Sequence, residues 1–158
     1  MFIPLSDDPN YSDKRPWVNY GLIAANVLVF FLLTPQAGGK NAAFLFEWGY
    51  IPAAPRIETF FTSMFLHGGF MHLAGNMLFL WIFGDNVEGR LGHVGYLFAY
   101  LTFGLAAVLL YQVLDPDSLI PLVGASGAIY GTLGFYFLAF KDNRVRVLIW
   151  FFLILFQE

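Results

Sequence analysis

The chain has 158 residues, 58 % of them hydrophobic and only 12 % charged, with a mean hydropathy of +0.64; it lacks the polar surface of a water-soluble domain and reads as a membrane protein. The net charge of −3 comes with scattered basic residues, which leaves no stripe for nucleic acid and no polybasic anchor, so the bilayer is the one partner that composition implies. The absence of cysteine excludes a disulfide framework, a cysteine-based zinc site and a thiol nucleophile.

Residues 1–16 hold Asp7, Asp8 and Asp13 ahead of Lys14 and Arg15 and are expected to form an N-terminal segment outside the bilayer. A first apolar stretch, 17–34, is long enough, or nearly so, to cross a hydrocarbon core that takes about 20 helical residues. A cleaved signal peptide is the alternative, but the acidic front end and the lack of a small–x–small cleavage pattern in "TPQAGG" weigh against it. The connection 35–66 carries Trp48, Tyr50, Phe60 and Phe61 with prolines at 52 and 55, a composition expected to lie partly in the membrane interface.

Further apolar stretches follow at 70–84, extending back through Gly68 and Gly69 to His67, at 94–114 and at 119–140. A fifth run, "VRVLIWFFLILFQE", begins at Val145 and, as a helix, reaches about two thirds of the way across. The expected fold class is therefore all-α, a polytopic bundle of four full transmembrane helices and part of a fifth within one membrane domain, 17–158. Lys14, Arg15, Arg90, Lys141, Arg144 and Arg146 fall on one side of this arrangement and Lys40 and Arg56 on the other, which places the N-terminus in the cytoplasm. The second and fourth helices then both start at the outer side, and the polar residues of each start meet at one level.

His72 and Asn76 are four residues apart, so they stack on one helical face and both can donate to one point. In lipid an uncompensated polar group costs several kcal/mol, which directs such a pair into the bundle, either as interhelical glue or as a functional site. Ser126 stands among Gly124, Ala125, Gly127 and Ala128, where no side chain shields its hydroxyl. Gly127, Gly131 and Gly134 continue a small face, for which packing is the bland reading. A soluble nucleophile elbow does not fit, because Ala128 stands where that turn takes glycine. Zinc on His67 and His72 is set aside, since no carboxylate accompanies them and a spacing of five suits one helical face poorly. His93 is expected to be a solvated loop residue.

A serine at one helix start and a donor pair at another are two parts of an acyl-transfer site. "FLHGGFMHLAGNMLFLWIFGDNVEGRLG" followed by "GASGAIYG" resembles the rhomboid family of intramembrane serine proteases, with its H-x-x-x-N and G-x-S-G motifs on the second and fourth core helices. The resemblance implies a cofactor-free endopeptidase of a prokaryotic cell membrane that cleaves transmembrane protein substrates. It implies Ser126 as nucleophile, with His72, Asn76 and the Ser126 backbone N–H holding the oxyanion. Gly124, Gly127, Tyr130 and His67 would line or border the substrate cavity, His67 retaining water or ordering the loop, and Glu88 and Arg90 would be structural. The family's base histidine lies on a sixth helix beyond these residues, and the small face of Gly127, Gly131 and Gly134 is expected to wait for a helix outside them. A non-catalytic relative that binds transmembrane segments is the main rival, and a small transporter or channel the lesser one.

Overall fold

A computed structural model describes residues 2–7, 15–34 and 40–149. The chain is predominantly helical. Strand β1 (Phe2–Ser6) precedes helix α1 (Trp17–Leu28), which continues as a π-helix over Val29–Leu33. Helix α2 (Lys40–Trp48) and the single turn α3 (Thr59–Thr62) lie in the connection expected to be a loop. Helix α4 (Phe70–Phe79) runs through a π-helical segment, Leu80–Gly84, into α5 (Asp85–Leu114), and α6 (Ser126–Ala139) and strand β2 (Arg146–Ile149) follow.

The helical stretch Phe70–Leu114 is long and apolar enough to cross a membrane, and Trp17–Leu33 is a shorter apolar helix. Phe70–Leu114 is nevertheless not one rod, because Gly92 sits at φ 73°, ψ 166° and breaks it. A side chain on α1 shows how sharply. Asn19 Nδ2 donates to the Leu80 carbonyl at 2.8 Å while its Oδ1 accepts from Tyr96 Oη at 2.9 Å. In a straight helix those two partners would lie about 24 Å apart. Gly92 therefore turns the stretch into a hairpin, in keeping with separate second and third apolar segments, and only glycine takes that φ without strain.

Glu88, in the arm before the turn, is 2 % exposed, and its carboxylate accepts from the backbone N–H of Val18 at 3.0 Å and of Asn19 at 2.7 Å. The first turn of α1 holds no acidic residue of its own, so this carboxylate from another helix supplies both the cap and the negative charge that a helix N-terminus favours. His93 also reaches Glu88 through Nδ1, so the position expected to be a solvated loop residue is a partner of the buried carboxylate. At the same end Asn86 donates to Asp7, and β1 pairs antiparallel with β2. Arg146–Ile149 are thus extended, where the start of a fifth helix was expected, because the N-terminal strand offers them a ladder; the rest of that run lies outside the described residues.

At the opposite end the connection between α2 and α4 is packed into the bundle. Tyr50 is fully buried, bridges Leu122 by reciprocal backbone hydrogen bonds of 3.1 and 2.8 Å, stacks edge-on with Phe60 at 4.7 Å and donates to Gln112 through its hydroxyl. The core joins Leu22, Met64, Leu80, Val87, Tyr96, Tyr100, Ile129 and Tyr136. Outside it, Phe31, Leu32, Met71, Trp81 and Phe98 are each more than half exposed, whereas Asn19, Asn26, His67 and Glu88 are buried. Apolar side chains outside and polar ones inside are the distribution that lipid selects.

Candidate functional site

Helix α6 begins at Ser126 itself and not at 119, because 119–125 are drawn out into the bridge with Tyr50 and the turn that follows it. Gly124 makes that turn at φ 119°, and its N–H donates to the Ser63 carbonyl at 2.8 Å. The turn comes to rest against α4: a Cβ at Gly124 would stand 2.7 Å from His72 Cε1, 2.8 Å from His72 Nε2 and 3.5 Å from Asn76 Nδ2. Glycine here is required twice, by the backbone angle and by the imidazole. Ser126 is the first residue of the helix, with no side-chain cap ahead of it, so its N–H is among those that no helical carbonyl can take.

A cavity of about 220 Å³ lies between α4 and α6, and His72, Asn76, Ser126 and Tyr130 all line it. Its apolar walls are Met71, Gly75 and Phe79 from α4 and Ile129 and Leu133 from α6. A second cavity, of about 110 Å³, opens on the other side of the serine and is lined by Ser63, Gly104, Gly124, Gly127 and Tyr130 among others. Ser126 and Tyr130 border both. Of the sequence-derived candidates, then, Ser126, His72, Asn76, Gly124, Gly127 and Tyr130 meet around these two spaces, while His67 lines neither. It is fully buried, accepts a hydrogen bond at Nε2 from Asn76 Nδ2 at 2.9 Å, and packs edge-to-face on His72 with ring centroids 5.1 Å apart. Accepting at Nε2 requires that nitrogen to be unprotonated, so the ring is neutral.

The small face of α6 is occupied. A Cβ on Gly127 would stand 2.5 Å from Ala107 Cβ, and one on Gly131 2.3 Å from Phe103 Cγ, so both glycines are filled by α5; only Gly134 has nothing within 4 Å. The expectation that this face awaits a further helix is corrected for the first two. The lining residues Met71, Gly75 and Phe79 were not singled out in the sequence, although their spacing of four beside His72 and Asn76 is the signal that finds them. Ser126 and His72 make no side-chain hydrogen bond to one another among the described residues, and no group of three or more His, Asp or Glu converges there as a metal site.

A helical bundle with apolar flanks and a small, mostly apolar cavity between two of its helices, into which a few polar side chains reach, fits an integral membrane protein with a site between its helices. The chain matches the family profile of the rhomboid domain over residues 54–157, and it belongs to the rhomboid family, whose members are integral membrane proteins. It is 34 % identical over 138 residues to the rhomboid protease GluP of Bacillus subtilis, across 85 % of this chain and 27 % of that protein. It is 30 % identical over 142 residues to the human presenilin-associated rhomboid-like protein, mitochondrial, across 88 % of this chain and 37 % of that one. Rhomboid protein 1, mitochondrial, of Saccharomyces cerevisiae is 33 % identical over 91 residues, across 55 % of this chain and 26 % of its own length. The chain spans well under half the length of each of these relatives. No solved structure gives a significant match.

Proposed function

We propose that the protein is an intramembrane serine endopeptidase that cleaves peptide bonds in or near transmembrane segments of other membrane proteins. The observation that carries the reading is the seating of the Gly124 turn against His72 and Asn76, which puts Ser126 at the rim of the cavity those two donors line. Ser126 Oγ attacks the carbonyl carbon of the substrate, and its proton passes to a general base. The carbonyl oxygen becomes an oxyanion that His72, Asn76 and the Ser126 N–H stabilise. Collapse of this intermediate expels the amine with the proton returned by the base, and water then hydrolyses the acyl-enzyme. As the resemblance implies, the base is assigned to a histidine outside these residues; among the described residues His72 makes no side-chain hydrogen bond to Ser126, and His67 is committed to Asn76.

The residues that line the cavity are mostly apolar, which suits a hydrophobic segment whose backbone is locally unwound. The bundle is assigned four crossings by its apolar stretches and a cytoplasmic N-terminus by the Lys and Arg distribution, and the membrane is assigned as that of a prokaryotic cell by the likeness to the Bacillus subtilis protein. The test is cleavage of a transmembrane substrate with helix-breaking residues by the full-length protein reconstituted in liposomes. Ser126→Ala is expected to abolish turnover without lowering the melting temperature. Wild-type turnover in that variant removes the nucleophile, and substrate binding without any cleavage in the wild type leaves the non-catalytic binder.

A further inference from the structure

The short segment between α3 and α4 touches both halves of the site. The Ser63 carbonyl accepts from the N–H of Gly124 at 2.8 Å, two residues before Ser126, and His67 Nε2 accepts from Asn76 Nδ2 at 2.9 Å. His67 is 0 % and Asn76 8 % exposed, so water does not compete for this bond. An asparagine amide turns about a broad, two-fold terminal torsion and offers two donor hydrogens on one side and an acceptor oxygen on the other. Left free, Asn76 can turn its oxygen toward the cavity, where it would repel a developing oxyanion.

We propose that His67 is a positioning residue, which holds the Asn76 amide so that an N–H, and not the carbonyl oxygen, is presented beside Ser126. The inference rests on the protease reading above and deepens it. One amide hydrogen is spent on His67 Nε2, which fixes the plane, and the second remains for the oxyanion. For Nε2 to accept, the imidazole proton must sit on Nδ1, so the tautomer of a residue outside the cavity sets the polarity of one inside it. The edge-to-face contact of His67 with His72 braces the second donor through the same ring.

The test uses the purified full-length protein with a transmembrane peptide substrate, and kcat, KM and melting temperature measured together. His67→Phe keeps a ring without the acceptor, and His67→Gln keeps an acceptor oxygen. The expected result is a kcat lower by about 10- to 100-fold in His67→Phe with KM unchanged, largely recovered in His67→Gln, and no further loss when His67→Phe is added to Asn76→Ala. An unchanged kcat in His67→Phe, or an equal loss in the Asn76→Ala background, overturns the positioning role while Ser126→Ala stays inactive. Activity in Ser126→Ala instead overturns the protease reading and the positioning role with it. Should His67→Phe not fold, ¹⁵N spectra of the imidazole in the wild type decide: a protonated Nδ1 and bare Nε2 are expected, and a protonated Nε2 refutes the assignment.

Discussion

Gly124→Ala separates backbone strain from displacement of the site. Gly124 sits at φ 119°, a region that L-residues enter at a cost of about 1–3 kcal/mol. The new methyl would also lie 2.7 Å from His72 Cε1, against an ordinary carbon contact of about 3.5–4.0 Å, so the ring must retreat by about 1 Å. His72 is exposed on its cavity side and can swing, which makes the steric part cheap for folding and expensive for function. Misplacement of a reacting group by that distance costs about 100-fold in rate. The variant is therefore expected to lose about 1–3 kcal/mol in urea unfolding followed by circular dichroism in detergent, and about 100-fold in kcat on a transmembrane substrate. With His72→Ala already present the ring is gone, so the rate effect of Gly124→Ala should largely disappear while the stability loss persists. An undiminished rate effect in that background would refute the contact as its cause, and an unchanged stability would refute the strained turn.

Two further outcomes follow from packing. Glu88→Ala removes the acceptor of two backbone N–H groups and of His93, and should cost about 3 kcal/mol in the same unfolding assay, with Glu88→Gln losing clearly less because it keeps an acceptor oxygen. Gly127→Ala sets a methyl 2.5 Å from Ala107 Cβ, which cannot move without its helix, and should destabilise by about 1–3 kcal/mol, whereas Gly134→Ala, with nothing within 4 Å, should be neutral or slightly stabilising in melting temperature.

The face shared by His72 and Asn76 is legible because helical spacing alone decides it, and the place of half-buried Ser126 beside open space because its neighbours are small. What surrounds them depended on partners far away in the chain. Residues 119–122 are as apolar as the helix they precede; Pro121 is the local signal against a helix there, and the bridge from Tyr50 to Leu122 is the distant one. His67 is expected to border the cavity by the resemblance alone; the second apolar stretch extends back through Gly68 and Gly69 to it, but the helix starts only at Phe70, and no spacing rule carries a side-chain direction across the two glycines. Residues 40–48 were left in a connection despite good helix formers in "KNAAFLFEW", a signal that aromatic content and nearby prolines obscured. Gly127 and Gly131 gave their small face plainly, but that Ala107 and Phe103 fill it is a property of α5.

The carboxylate that caps α1 stands 70 residues after the N–H of Val18 that it accepts. During synthesis the first apolar helix thus leaves the ribosome long before its cap exists, and it must enter the bilayer with water at its first turn. Glu88 and Leu80 lie in the arm before the turn at Gly92 and can take Val18 and Asn19 once that arm docks, whereas the bond from Tyr96 to Asn19 waits for the turn itself. A latch of this kind closes last: insertion of the separate helices comes first and their docking afterwards, and a chain stalled before residue 88 holds its first helix unfastened.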